Sequence, residues 1–431
     1  MLRAFAQAFK TPDLRRKIIF SLIIMALYRL GTFVPTPGVS AANVRECIAV
    51  NSEGANLLDM FNLFSGGALL QLSVFALGIM PYITASIIIQ VLRVAVPRFD
   101  DLYKEGQSGQ AKLTQYTRYL TIFLAILQST TMIALASSGQ LFPGCSMPVI
   151  VNAGPTTYLF MVLVMTAGTA VIMWFGELIT EKGIGNGMSL LIFTSIVSSM
   201  PMQLFQIGVG GGWGKVAIIV VLILLVTVAV VFVEQAQRRI PVQYAKRMVG
   251  RRTYGGTTTY IPLKINMAGV IPVIFSTSIL ALPPLVAQFG SQEDGWVQWI
   301  QRSFDQTSWV YLLVNGLLII AFAFFYTSIT FNPDEVADNM KRYGGFIPGF
   351  RAGKPTAEYL RYVMNRLTTV GALYLAIIAI LPSIIMIPLK LAPGQMPFGG
   401  TTLLIMVGVG LQTVKDINAQ LQQHHYEGFL K

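Results

Sequence analysis

The chain has 431 residues, of which 54% are hydrophobic and only 12% are charged. This composition excludes an ordinary soluble globular protein and is typical of a protein that crosses a membrane many times. The net charge of +12 could by itself indicate a nucleic-acid-binding protein. However, the basic residues are distributed by membrane side, as the order of the segments shows.

Ten apolar segments have the length needed to cross a bilayer, about 20 residues each. They cover residues 18–34, 73–92, 117–137, 157–176, 188–206, 215–234, 266–288, 309–331, 367–388 and 400–417. The first is preceded by basic residues but not followed by a signal-peptide cleavage pattern, so we expect it to be retained as a span. The segments predict an all-α polytopic membrane protein with two halves of five spans, 1–206 and 207–431.

The lysines and arginines predict the topology. Arg29 lies inside the first span, and the outer side holds Arg45, Lys215, Arg302 and Lys390. Nearly all of the others among the 31 basic residues lie in the N-terminal segment, in the loops after even-numbered spans and in the C-terminal tail; Arg118 and Lys415 lie near the ends of spans three and ten. Retained positive charge marks the cytoplasmic side, so both termini are predicted to be cytoplasmic.

Two of these cytoplasmic loops, 235–265 and 332–366, are long and strongly basic. Such clusters usually fix topology and contact anionic lipid headgroups. Their length and their Gly/Pro turns favour a second interpretation, in which they project as docking sites. Arginine on such a loop suits an acidic protein face or RNA phosphates equally well.

A Gly/Pro pattern occurs once in each half. GIMPYITASII contains Gly78 and Pro81, and GVIPVIFSTSI contains Gly269 and Pro272. Interrupted segments at corresponding positions point to the working centre of a repeat-built transport protein, although apolar segments also match by chance. We interpret the prolines as interior kinks. Five spans per half is an odd number, so the halves are predicted to be inverted. The stretch 57–70 is too short to cross and is predicted to be a re-entrant half-helix.

Catalytic motifs are absent from the sequence. The two histidines, His424 and His425, lie in the C-terminal tail, and GVGGGWGKV lacks the Gly and Ser/Thr positions of a phosphate-binding loop. We predict no enzyme activity, no metal and no cofactor, so any ATP-driven work must come from a partner. GIGNGM at 183–188 predicts a tight loop between two spans.

The two cysteines, Cys47 and Cys145, both fall in predicted outer loops. Their positions leave a disulfide open, and two free thiols are the favoured interpretation.

The centres of the spans hold isoleucine and almost no ionisable residue. Ile79 and Ile83 are four residues apart, as are Ile192 and Ile196, which places each pair on one helical face. A lack of intramembrane charge argues against an ion-coupled carrier. An isoleucine stripe on a membrane helix usually faces lipid; the alternative is a hydrophobic constriction that closes by expelling water.

Long motifs along the chain resemble the SecY family, the channel subunits of the bacterial protein-conducting translocon. They are FNLFSGGALLQLSVFALGIMPYITASIIIQ, KEGQSGQAKLTQYTRYLT, GELITEKGIGNGMSLLIF, RRIPVQYAKRMVGRRTYGGTTTYIPLKINMAGVIPVIF and GGFIPGFRAGKPT. The resemblance implies a passive channel in the cytoplasmic (inner) membrane. It would secrete unfolded preproteins across that membrane and insert membrane proteins laterally into it, driven by a motor ATPase or a ribosome.

The resemblance also implies roles for particular residues. A plug at about 59–70 includes Phe64, Ser65, Gly66 and Gly67. An apolar pore ring consists of Ile79, Ile83, Ile192, Ile196, Ile274 and Ile405. A lateral gate lies between spans two and three on one side and seven and eight on the other, with hinges at Gly78, Pro81, Gly269 and Pro272.

The partners that the resemblance implies are SecE-like and SecG-like subunits, the SecA motor ATPase, the ribosome and signal-sequence-bearing polypeptides. The basic residues for motor or ribosome binding are Lys246, Arg247, Arg251, Arg252 and Arg351. Two other classes stay open. A secondary carrier or lipid flippase with the same inverted repeat predicts a polar site at the midplane, and a scaffold that only recruits ribosomes would conduct nothing.

Overall fold

The computed structural model describes residues 9–50, 65–139, 141, 145, 147–151, 154–244, 247–249, 252–254, 258–280, 282–287, 294–304, 308–389 and 400–427. Some predicted features lie outside the described residues: Lys246, Arg251, Lys390 and the first part of the plug, 59–64, which includes Phe64.

The described helices follow the predicted spans closely. They are α1 (Pro12–Gly31), α2 (Ala41–Val50), α3 (Met80–Ala95), α4 (Pro97–Lys104), α5 (Gln107–Ser137), α6 (Pro155–Lys182), α7 (Gly187–Gly211), α8 (Trp213–Gln235), α9 (Ile271–Leu280), α10 (Leu282–Ala287), α11 (Gly295–Ser303), α12 (Trp309–Thr330), α13 (Pro333–Arg342), α14 (Lys354–Leu389) and α15 (Gly400–Glu427).

The fold is that of a multi-pass helical membrane protein, as the hydropathy predicts. Among the described residues, α5, α6, α7, α8, α12 and α14 are long and apolar enough to cross a membrane. The bent pair α3 and α4 makes a seventh if it is counted as one span. Helices also occupy the first, seventh and tenth predicted spans, namely α1, α9 with α10, and α15. Ten crossings in two inverted halves stay a prediction.

The second predicted span differs from the structure in its first part. Helix α3 begins at Met80 rather than near residue 73, and residues 65–79 form consecutive turns. Gly66, Gly67 and Leu72 have φ values of +69°, +89° and +45°, whereas an α-helix needs a φ near −63°. The half-helix predicted over 59–70 is therefore not helical in its described part.

The Gly/Pro pattern marks the beginnings of two helices, not kinks within them. Gly78 and Gly269 have φ values of +56° and +63°, and each lies two residues before a helix. Pro81 and Pro272 are the second residues of α3 and α9. Proline loses no hydrogen bond in a first helical turn because the N–H there has no intrahelical partner. The prediction of interior kinks was wrong, but both halves do share one helix-start motif.

A corner of charged and aromatic side chains joins α3 to α4, whose axes differ by 101°. The Arg93 guanidinium lies 3.2 Å from the centre of the Tyr103 ring and 3.7 Å from Asp100. Lys104 Nζ lies 2.6 Å from Asp100 Oδ2, and its hydrogen bond holds the pKa of Asp100 below its usual range. This stabilisation is present above the ordinary carboxyl pKa and is lost as the pH falls through the lowered value.

The two basic loops contain β-structure that was not predicted. Strands β1 (Gln237–Tyr244), β4 (Thr258–Lys264) and β5 (Gly345–Phe346) form a sheet in the order β4-β1-β5 with antiparallel pairing. Strands β2 (Arg247–Val249) and β3 (Arg252–Tyr254) form a separate pair. Since β5 comes from the second loop, this three-stranded sheet joins the two loops. We call the sheet of β4, β1 and β5 the basic sheet.

The basic sheet has its own apolar core on α13 and α14. Ile240 and Val242 of β1 are buried and alternate with exposed residues, which is the pattern of a strand with one covered face. The buried members of this core are Ile240, Val242, Leu263, Met340, Ile347, Leu360 and Val363. This packing fixes the basic sheet to the helical body.

Cys47 and Cys145 form a disulfide with their Cα atoms 5.4 Å apart. The favoured interpretation of two free thiols was therefore wrong. The cause is a long-range contact, since Ser40 N–H donates to the Val149 carbonyl at 3.0 Å and Asn43 Nδ2 donates to the Pro148 carbonyl at 2.8 Å. These bonds bring α2 against the loop that follows α5.

Thiol titration checks this pairing. The denatured, unreduced chain should show no reactive thiol, and reduction should release both of its cysteines. Cys47→Ser should expose one thiol without any reductant, which controls for accessibility. Two reactive thiols in the unreduced chain would contradict the pairing.

Candidate pore and gate

The six isoleucines of the predicted pore ring meet in one cluster. Ile79, Ile83, Ile192, Ile196 and Ile405 are all at most 9% exposed, and the partly buried Ile274 packs against them. They come from the start of α3 and from α7, α9 and α15. Their burial rules out the lipid-facing alternative for this stripe.

The helices around this cluster meet along one seam. Helix α3 packs on α5, α9 packs on α12, and α3 also contacts α9. These are the four helices at predicted spans two, three, seven and eight. The structure therefore brings together the helices on both sides of the predicted lateral gate.

Buried polar and aromatic contacts fasten α9 to α12. Ser276 Oγ donates to Asn315 Oδ1 at 2.7 Å, and both residues are almost fully buried. The Phe275 ring meets Phe322 edge-on, with centroids 5.7 Å apart. We infer that α9 and α12 move as one unit, because separating them would leave two buried polar groups without partners.

A buried asparagine holds the start of α9. Asn266 Nδ2 donates to the Gly269 carbonyl at 3.0 Å and to Glu234 Oε1 at 2.5 Å. Glu234 lies at the end of α8. One amide group therefore ties the glycine before α9 to the preceding helix. The only signal of this arrangement in the sequence is a polar residue beside a predicted span.

The described part of the plug is buried and internally bonded. Ser65 is 1% exposed, and its Oγ accepts from Leu69 N–H at 3.1 Å. The Gly66 carbonyl accepts from Arg29. The stretch that follows pairs with the end of the first span, since Thr36 N–H donates to the Leu72 carbonyl at 3.0 Å.

A restrained loop presents Arg351, which is exposed. Its carbonyl accepts from Thr356 Oγ1 at 2.8 Å, and the neighbouring Phe350 stacks on Tyr359 with centroids 4.2 Å apart. These contacts fix the backbone while the guanidinium is exposed. Of the other predicted docking residues, Arg247 lies in β2 and Arg252 in β3.

Comparison with known proteins assigns the family. A family model for SecY matches residues 73–414. Proteins named "Protein translocase subunit SecY" are 58% identical in Streptomyces scabiei, 57% in Streptomyces coelicolor and 54% in Mycobacterium bovis, each over 100% of both chains. The chain belongs to the SecY family.

Solved structures agree with this family in fold. A structure of a protein conducting channel superposes on this SecY-family chain with a TM-score of 0.62 at 18% identity, covering 94% of this chain and 91% of that one. Sec61 in the canine ribosome–channel complex gives a TM-score of 0.57 at 16% identity, with the same coverage. At these identities the likeness establishes a shared fold.

A double-mutant cycle tests the contact between α9 and α12. Asn315→Leu should lower the free energy of unfolding by about 0.5–1.5 kcal/mol, because it removes the side-chain acceptor and leaves the buried Ser276 hydroxyl only the longer bond to the backbone carbonyl of residue 315, at 3.3 Å. Ser276→Ala combined with Asn315→Leu should cost less than the sum of the single changes, with a coupling of at least about 0.5 kcal/mol. Denaturant unfolding of the purified protein measures these values.

Ser278→Ala is the matched control, because that hydroxyl donates only to the Ile274 carbonyl of its own helix. It should not couple to Asn315→Leu. A zero coupling for Ser276 would contradict the inference that α9 and α12 are fastened together.

Proposed function

We propose that the chain forms a protein-conducting channel through which unfolded preproteins cross the cytoplasmic membrane and from which membrane proteins enter the bilayer laterally. Membership of the SecY family supports the class of function. The single observation that supports the mechanism is the isoleucine cluster, in which apolar side chains from α3, α7, α9 and α15 pack together.

An isoleucine ring suits a conduit for polypeptides. It forms no strong hydrogen bond or ion pair with passing side chains, and a narrow apolar opening excludes water and ions. A polar or charged constriction would hold some segments too tightly. The carrier or flippase alternative requires a polar midplane site, and the centres of the spans hold almost no ionisable residue from which to build one.

Opening requires movement at the seam and at the plug. We infer that a signal sequence separates α3 from α9, with Gly78, Pro81, Gly269 and Pro272 as the pivots. Because Ser276 and Asn315 fasten α9 to α12, these helices would swing together. The plug, about 59–70, then moves outward and the ring fits loosely around the chain.

The chain is passive, so partners must supply the work. We propose that the basic sheet and the Arg351 loop form the docking surface for a SecA motor ATPase and for ribosomes, with Lys246, Arg247, Arg251 and Arg252 contributing charge. Solved Sec61 in a ribosome–channel complex supports this class of partner. SecE-like and SecG-like subunits and anionic lipids complete the proposed assembly.

The proposed orientation places both termini in the cytoplasm. It rests on the bias of Lys and Arg towards one side of the apolar segments. In this orientation the basic sheet faces the cytoplasm, where a motor or a ribosome can reach it, and the disulfide lies outside, where oxidation is favoured.

Ile83→Asn tests the ring. The amide should stabilise water in the constriction and raise the resting ion conductance of channels reconstituted in planar bilayers. Ile88→Asn on the same helix, outside the cluster, is the matched control and should leave conductance unchanged. Unchanged conductance in Ile83→Asn, together with a relaxed signal-sequence requirement, would instead assign closure to the plug or the seam.

Arg351→Glu tests the docking surface. Reversing a charge at an interface costs at least ~1.4 kcal/mol, so motor-driven uptake of a secretory protein into inverted membrane vesicles should fall about tenfold or more. Arg302→Glu makes the same charge change in the predicted outer region and should have little effect. If uptake persisted while ribosome binding alone failed, the loop would serve the ribosome and not the motor.

A further inference from the structure

Arg29 is a charged residue in the last turn of a membrane helix. A charge in the membrane interior costs roughly 2.5–3.5 kcal/mol at mid-depth unless it has partners. Among the described residues, Arg29 forms no ion pair with an acidic side chain. Its contacts must therefore be found among neutral groups.

The strongest of these contacts is with the plug. Arg29 Nη1 donates to the Gly66 carbonyl and lies 3.4 Å from Thr32 Oγ1. The guanidinium carbon also lies 4.8 Å from the centre of the Phe33 ring. Thr32 and Phe33 are its neighbours in sequence, so among the described residues Gly66 is the one hydrogen-bond partner of Arg29 that belongs to another segment.

The residue before Arg29 anchors this part of α1 to α7. The Tyr28 hydroxyl and Ser195 Oγ are 2.7 Å apart and buried. Ser195 precedes Ile196 of the pore ring and also borders the plug, because a Cβ placed on Gly66 would lie 3.3 Å from the Ser195 Cα. Tyr28 and Arg29 thus connect one ring helix to the plug.

The plug residue in this contact has a backbone conformation that favours glycine. Gly66 has a φ of +69°, and a Cβ there would approach Arg29 Nη1 to 3.0 Å. A side chain would be strained by the backbone conformation and would crowd the guanidinium. A substitution of Gly66 should therefore disturb the contact, as a substitution of Arg29 should.

We propose that Arg29 is a positioning residue that latches the plug in its closed place through the Gly66 carbonyl. This proposal rests on the proposed function, since it presumes that the segment closes a channel. A neutral backbone acceptor suits a latch, because a hydrogen bond to a charged donor contributes about 1.5–3 kcal/mol and breaks without a buried carboxylate being left behind. Once the plug leaves, the guanidinium can reach the outer water from the end of its helix.

The test is the resting ion conductance of the channel, purified with its associated subunits and reconstituted in planar bilayers. Arg29→Ala should raise the open probability about tenfold, the factor that corresponds to about 1.4 kcal/mol. Gly66→Ala should do the same from the other side of the contact. Arg29→Lys should have a smaller effect, since it keeps the charge, and Arg45→Ala removes an exposed arginine of α2 and should have none.

Deletion of residues 65–70 distinguishes a failure of the latch proposal from a failure of the plug proposal. The deletion should itself raise conductance, and adding Arg29→Ala to it should change nothing further. Amide exchange should rise in the peptide 65–79 of Arg29→Ala and stay unchanged in β1 and β4, which excludes general misfolding. If the deletion raised conductance while Arg29→Ala and Gly66→Ala did not, the latch would be overturned, and the proposal that the plug closes a channel would stand. If the deletion raised nothing, the plug itself and the latch with it would be overturned.

Discussion

The structure depends on one rule, that backbone N–H and C=O groups buried in a membrane must be hydrogen-bonded within the protein. Continuous helices satisfy the rule automatically. This chain departs from helix at 65–79 and again just before α9, and at both places specific groups supply the missing bonds. Ser65 and Arg29 bond the first stretch, and Asn266 bonds the second.

These two departures lie at corresponding places in the two halves and flank the same isoleucine cluster. Irregular backbone is tolerated at membrane depth where protein covers it or where it lines a cavity. A channel needs such places, because a helix that starts partway across the membrane can tilt at its first residues without breaking its own hydrogen bonds. The same motif, a glycine with positive φ followed by a proline in the first helical turn, occurs at the start of both α3 and α9.

Hydropathy and charge predicted the fold class and the positions of most of the long apolar helices, because membrane spans are specified locally by apolar length. The isoleucine cluster was predicted through family resemblance, and periodicity alone favoured a lipid-facing stripe. Three features were missed because they depend on segments distant in the chain: the sheet that joins both basic loops, the Arg29–Gly66 bond and the Cys47–Cys145 pairing. The prolines were assigned to helix interiors because hydropathy does not mark where a helix begins inside an apolar run. A glycine three residues ahead of each proline was the available signal.

The most direct test of the central claim is crosslinking inside the channel. Ile83→Cys introduces the one free thiol, since both native cysteines are paired, and a secretory chain that carries a single cysteine is arrested midway through transport. The account predicts a disulfide between the two chains that requires both the motor and a functional signal sequence, with Ile88→Cys giving none. If the secretory chain crossed the membrane but never crosslinked to Ile83→Cys or to cysteines at the other ring positions, the polypeptide path would lie elsewhere and the isoleucine cluster would be ordinary core.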